Sequence, residues 1–308
     1  MLKTLAIIGS RSFLGQQLVR RCRAAGIRTV GYRRPPHGGG LPRELTPDVE
    51  VDCDLTRPVA APPEPIDACL FAAQHVAPST SDCSRSDLFT VNAVGVHRAL
   101  CMVASNGYVP FLNCSTGTVY APSTQPLRES DQVRVDDDYA LSKLHGESMA
   151  SLFAETISTT NLRIFGLYGP RQRQRLVPNL VARVRSGESV RLGPNSNCND
   201  GDGGLRVSML HVADAAEAII ALARRLAMRE LTPRLVNLGG SVPVSIRHMA
   251  QEIGRLVGHD PIFAEGPARV GDLIADTSLL RSLVPTSPRS WEMGIRQTIE
   301  EDQTIGVA

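Results

Sequence analysis

Six short apolar runs, Leu5–Ile8, Arg28–Tyr32, Val49–Cys53, Ala68–Ala72, Val109–Cys114 and Leu162–Phe165, alternate with longer amphipathic stretches through the first half of the chain. Apolar residues recur at helical spacing within Phe13–Ala25, Leu88–Ser105 and Tyr139–Glu155, which fit between the runs. That order specifies an α/β fold, a doubly wound parallel sheet with crossover helices. Right-handed crossovers place every strand's carboxyl end on one edge, where ligands bind in such sheets.

The second half is less regular. A helix is expected near Val177–Ser186, then a strand at Val190–Leu192 and a polar loop from Pro194 to Gly204. A strand at Val207–Val212, a helix at Asp214–Ala223, a strand at Leu235–Leu238 and helices at Ile246–Val257 and Arg289–Glu301 follow. The segments 35–42 and 58–65, rich in Pro and Gly, are expected as loops within the sheet domain.

With 308 residues and a net charge of +2, the chain offers no overall electrostatic attraction for nucleic acid or an anionic membrane. Its seven cysteines form no Cys-x-x-Cys and several lie in apolar runs, so they read as small buried hydrophobes in a reducing, cytoplasmic setting. No apolar run approaches the roughly 18 residues a membrane span needs. The seven histidines show no metal-ligand spacing, and no metal is expected.

Two lysines, Lys3 and Lys143, stand against 31 arginines. Lys143 follows Tyr139 by four residues, which puts both side chains on one face of a helix. An ammonium beside a phenol that normally titrates near ~10 favours the phenolate and makes a proton-transfer pair. Taken alone, that spacing more often describes a surface tyrosine packed on a lysine stem.

Gly9-Ser10-Arg11-Ser12-Phe13-Leu14-Gly15 lies where the first strand meets the first helix, where backbone N–H groups and the helix dipole can face a pyrophosphate. Ser12 stands where a third glycine is usual, and either narrows the approach or offers a hydroxyl to the phosphates. Without its context the segment reads equally as a tight turn. The residue ending the second strand reads the adenosine ribose, and here it is Arg33, followed by Arg34. A guanidinium there suits a 2′-phosphate, with Arg11 closing from the other side, so NADP(H) is expected over NAD(H). The alternative is two solvated arginines in an arginine-rich chain.

Together these residues resemble the extended short-chain dehydrogenase/reductases, the NAD(P)-dependent nucleotide-sugar epimerase/dehydratase family, over nearly the whole chain. The resemblance implies a Rossmann-type domain over residues 1–171, with segments near 207–245 returning to it, and a smaller C-terminal α/β substrate domain over 172–308. It assigns Asp54 and Leu55 to the adenine, the backbone of Ala72, Ala73 and Gln74 to the cofactor, and Asn92 to a helix bracing the catalytic strand. It implies catalytic roles for Thr116, Tyr139 and Lys143, with Thr118 near the substrate. The segment Leu162–Pro170 resembles Arg-x-Phe-Asn-x-Tyr-Gly-Pro, which brings Phe165 to the cofactor and puts Gly166 where an asparagine usually holds the substrate. Arg206 and Arg269 match the two arginines that grip the nucleotide diphosphate. The insert Asn195 to Asp202 either reshapes the sugar pocket or is disordered.

In this family hydride moves between nicotinamide and a sugar carbon, Tyr139 moves the proton, Lys143 holds the nicotinamide ribose and depresses the phenol, and Thr116 orients the carbonyl. Dehydratases of the family carry an acidic pair after the catalytic threonine, and Gly117 and Thr118 stand there instead. A 4-ketoreductase acting on a nucleotide-diphosphate sugar is therefore the leading expectation, with a 4-epimerase second. A non-catalytic dinucleotide sensor is the reading from another class; Ser12 and Gly166 favour it and the intact Thr116, Tyr139 and Lys143 oppose it. A homodimer through the helices at 88–105 and 139–155 is implied by resemblance. Asp136, Asp137 and Asp138 read as helix-dipole partners, not a metal cluster, while Arg171, Arg173 and Arg175 either meet a diphosphate or lie in a solvated loop.

Overall fold

The structure, a computed structural model, describes residues 1–35, 40–76, 85–194, 204–285 and 287–304. Its first half runs β1 (Thr4–Ile8), α1 (Phe13–Ala24), β2 (Arg28–Arg33), β3 (Val49–Asp52), β4 (Ala68–Phe71), α2 (Arg85–Phe89), α3 (Gly95–Ala104), β5 (Phe111–Thr116), α4 (Asp138–Leu152) and β6 (Thr159–Ile164). There follow β7 (Leu167–Tyr168), α5 (Leu176–Ser186), β8 (Val190–Leu192), β9 (Arg206–Ser208), β10 (Leu210–His211), α6 (Val212–Ala227), β11 (Leu235–Leu238) and β12 (Pro243–Ser245). The chain closes with α7 (Ile246–Val257), β13 (Phe263–Glu265), α8 (Ser278–Leu283) and α9 (Trp291–Thr304).

Seven strands form one parallel sheet in the order β11-β6-β5-β4-β1-β2-β3. Every residue of β4 and β5 is buried, as expected of strands covered on both faces. Helices α1 and α6 close one face around Leu18, Leu70, Ile219 and Leu238. On the other face Val96, Leu100 and Val103 of α3 pack with Phe71 and Phe111. The strand order reverses between β1 and β4, which opens a crevice above their carboxyl ends. A second core, built from α5, α7, α9 and short strands around Met249, Ile253 and Ile295, stands beside that crevice.

Three differences from the sequence reading matter for the site. The expected helix 88–105 is two helices joined by a π-helical turn at Thr90–Val94. Asn92 sits in that turn, its side-chain amide bonded to both backbone groups of His75 and to Ser142 Oγ, each at 2.9 Å, so tertiary bonding overrides the regular helix. Asn92 thus ties the loop after β4 to α4, while α3, which follows it, packs on Phe111 of β5. The expected strand 207–212 is divided, β9 pairing with β12 and β10 with β7, because Met209 turns the chain from one short sheet to the other. Finally, β5 runs on to Thr116, which makes that residue the strand's last.

Among the cysteines described, Cys22, Cys53, Cys69 and Cys114 are buried and Cys101 is exposed on α3, contrary to a uniformly buried set. Among the described residues no helix is long and apolar enough to cross a membrane. The insert Asn195 to Asp202 lies outside them.

Candidate active site

The crevice begins at Gly9, which has φ +87° at the end of β1. A Cβ at Gly9 would lie 2.5 Å from Ala73 N, and one at Gly15 would lie 2.2 Å from Gly9 O, so neither position admits a side chain. Gly9 N and Ser10 N both donate to Tyr32 O, at 2.9 and 3.1 Å, which fixes the turn against β2. Ser12 is the N-cap of α1 and its Oγ accepts from Gly15 N at 3.0 Å. The residue that replaces a glycine therefore secures the helix, and the next two N–H groups, of Phe13 and Leu14, have no acceptor within α1. With the helix dipole behind them they suit a pyrophosphate.

The end expected to take the adenosine is a cavity of about 300 Å³ lined by Arg11, Arg33, Arg34, Asp54, Leu55, Ala73 and Gln74. Asp54 accepts from the N and Oγ1 of Thr56 at 2.9 and 2.8 Å, and the backbone bond, followed by the hydroxyl bond, holds its carboxyl below the usual range. Two acids of β3 that sequence reasoning passed over stand behind this wall. Glu50 bridges Arg11 and Arg33, and Asp52 lies 3.2 Å from Arg33 Nη1. The alternation Val-Glu-Val-Asp on an edge strand was the available signal.

The expected catalytic end is a second cavity, of about 320 Å³, which shares Ser12 and Gln74 with the first. Phe13, Leu14 and Ala72 form its cradle side, while Thr116, Thr118, Tyr139 and Lys143 form its sheet side. Helix α4 carries the pair because Asp137 caps it, accepting from Ala140 N at 2.8 Å, and Asp138 follows in its first turn. Tyr139 donates from its hydroxyl to Gln74 Oε1 at 3.2 Å, and Lys143 Nζ donates to Cys114 O at 2.8 Å.

Burial pushes the Tyr139 phenol up to about 12, with Arg175 opposing the rise. Burial also lowers the Lys143 ammonium to about 8, against the pull of Cys114 and Glu147. The expected depression of the phenol by Lys143 is thus corrected. The ammonium is directed at a strand carbonyl, and the cation that lowers Tyr139 comes from the loop before α5. Thr116 Oγ1 lies 3.0 Å from Thr118 Oγ1 and accepts from Thr118 N at 3.2 Å. Ser115 donates to buried Glu147, which also holds Arg163 through bonds of 2.9 and 2.7 Å. Glu147, four residues after Lys143 on the same helix, was legible only as an i,i+4 neighbour.

A description of an NAD-dependent epimerase/dehydratase family matches residues 5–239. The chain belongs to that family. Two family relatives, the dTDP-4-dehydro-6-deoxy-D-allose reductases of a Streptomyces species and of Streptomyces bikiniensis, are 25% and 24% identical to it, each across 96% of this chain and 95% of its own length. Among solved structures, the Thermus thermophilus UDP-glucose 4-epimerase complex with NAD superposes with a TM-score of 0.75 at 22% identity, over 97% of this chain and 99% of that one. The Thermotoga maritima UDP-glucose 4-epimerase with UDP-glucose gives 0.78 at 19% identity, over 98% and 99%.

One residue departs from the sequence expectation, and two departures from the family pattern have a steric setting. Phe165, expected at the cofactor, has a fully buried side chain stacked with Tyr120, so its neighbours Ile164 and Gly166 line the cavity in its place. A Cβ at Gly117 would lie 2.6 Å from the Phe165 ring, which explains why no acid follows Thr116. Gly166 has φ +50° and a Cβ there would lie 2.7 Å from Ser208 O, so the β9–β10 connection leaves no room for the family's asparagine.

Arg206 and Arg269 do come together, on Asp272. Arg206 donates to Oδ2 through Nε and Nη2 at 2.8 and 2.6 Å, and Arg269 Nη1 donates to Oδ1 at 2.5 Å. Neither lines the catalytic cavity, whereas Arg171, Arg173 and Arg175 do.

Proposed function

We propose that this chain is an NADP(H)-dependent 4-ketoreductase of a nucleotide-diphosphate sugar. The observation that carries this reading is the lining of the catalytic cavity. It gathers Thr116, Tyr139 and Lys143, with three arginines opposite, and includes no carboxylate among the described residues. Elimination of water needs an acid or base beside the sugar, which this lining does not supply, whereas carbonyl reduction needs only a hydride and a proton donor. The names of the Streptomyces relatives point the same way. Arg11, Arg33 and Arg34 at the adenosine end support NADP(H).

The tight cradle at Gly9 and Gly15 and the free helix terminus at Phe13 and Leu14 fit a dinucleotide pyrophosphate. When bound, the reduced nicotinamide supplies the hydride. Thr116 Oγ1 orients the carbonyl oxygen by a hydrogen bond. Tyr139, with its phenol near 12, is protonated at neutral pH and donates to that oxygen, while Gln74 aims the hydroxyl. Arg175 stabilises the phenolate that remains, and Lys143 remains mostly cationic at pH 7. Because Lys143 loses its proton on passing about 8, kcat/KM should fall as pH rises through that value, and a flat profile to pH 10 would count against the role.

A 4-epimerase is the second reading, favoured by Glu50 and Asp52, which offset the arginines at the ribose and so weaken the case for NADP(H). We carry three further elements of the reading: the division near residue 171, a cytoplasmic location, and a homodimer through α2–α4. Exposed Val94 and Leu152 support the last of these. Incubation with a nucleotide-diphosphate 4-ketosugar and NADPH tests the proposal; stoichiometric NADPH oxidation is expected, and interconversion of sugar epimers without net oxidation would favour the epimerase.

A further inference from the structure

Glu50 stands in register with Gly31 of β2, and Asp52 with Arg33, so the two acids share one face of the sheet edge. A Cβ at Gly31 would lie 2.2 Å from Pro47 Cγ and 2.7 Å from Ser10 Oγ, so the strand position paired with Glu50 admits no side chain. Arg11 donates to Glu50 through Nε at 3.1 Å and Nη2 at 3.3 Å. Arg33 Nε lies 3.2 Å from the same Oε1, yet Arg33 Nε and Nη1 are covered without hydrogen-bond geometry to any acceptor. Arg33 is therefore held by charge alone, while Arg11 is held by charge and direction. Both arginines line the adenosine cavity and Glu50 does not.

We propose that Glu50 is a specificity-determining residue, whose carboxylate joins Arg11 to Arg33 and cancels part of their charge where a ribose 2′-phosphate binds. A 2′-phosphate dianion meets the arginines' field less that of Glu50, whereas a 2′-hydroxyl carries no charge to feel the difference. The other charged groups here are Asp52 beside Arg33, and Arg34, Asp54 and Asp87 in the cavity lining, and none of them bridges Arg11 and Arg33 as Glu50 does. Glu50 acts through the arginines, so its effect is a shift in discrimination and not a loss of the site. The inference rests on the reading of Arg11 and Arg33 as the 2′-phosphate subsite.

The test is binding of NADPH and of NADH to the full chain without sugar, read by the fluorescence of the reduced nicotinamide. Glu50→Gln should raise the preference for NADPH over NADH by roughly five- to tenfold, mainly through NADPH, and the gain should shrink in high salt. Glu50→Asp keeps the charge and should leave the preference within about twofold of the parent. Glu50→Ala gives the same test if the glutamine variant does not fold, as judged by thermal unfolding without ligand. Equal weakening of both dinucleotides, an unchanged preference, or a preference moved towards NADH would overturn the inference. The parent's own preference reports separately on the NADP(H) reading.

Discussion

The two ends of the cleft use arginine in opposite ways. At the adenosine end Arg11 and Arg33 share Glu50, and Asp52 adds a second counter-charge, so the wall is close to balanced. At the catalytic end Arg171, Arg173 and Arg175 face Tyr139 and Lys143 across a cavity without a carboxylate in its described lining. A balanced wall gives up field strength for a site whose ligand charge can vary by a phosphate. An unbalanced one keeps its field for anions, whether the phenolate left by proton transfer or the phosphates of a substrate. On the proposed function one end is a binding device and the other a chemical one, and variants should separate them.

The largest effect is expected from Tyr139→Phe, which removes the proton donor and should lower kcat by about 10³-fold or more while NADPH binding changes little. Parallel loss of cofactor affinity would mean that the ends are not separable. Removing the cation that lowers the phenol, Arg175→Met should reduce kcat by about tenfold while the alkaline limb set by Lys143 stays near 8. A change confined to KM would instead make Arg175 a substrate contact. At the other end, Arg33→Gln should weaken NADPH by about tenfold, leaving NADH and kcat near the parent values. The smallest change belongs to Ser12→Ala. Loss of the α1 cap should cost about 1 kcal/mol in denaturant unfolding with the dinucleotide preference unmoved.

The sheet half was legible because its apolar runs are short, fully buried and bounded by turns. The ends of α1 and the strands Val190–Leu192 and Leu235–Leu238 lie where the periodicity puts them, to within a residue. The interruption at Thr90–Val94 was not legible, since the bonds Asn92 makes to His75 and Ser142 belong to the tertiary fold. The two- and three-residue strands β7, β12 and β13 are too short to carry a period. In the site, the cradle and the pair on α4 could be read from spacing. The partners that tune them could not. Glu50 reads as an ordinary solvated strand acid until the register sets it between Arg11 and Arg33, and Arg175 reads as loop charge until the fold brings it to Tyr139. Phe165 was misread because a motif fixes a position along the chain and not the direction of a side chain.

The central claim is that the cavity around Tyr139 reduces a sugar carbonyl without elimination. Its most direct test is NADPH consumption with a nucleotide-diphosphate 4-ketosugar, run with the parent chain and with Tyr139→Phe. The account predicts one NADPH oxidised for each 4-hydroxyl formed by the parent, and none by a variant that still binds NADPH. Tight NADPH binding by the parent with no turnover of any ketosugar, or formation of a dehydrated product, would contradict it.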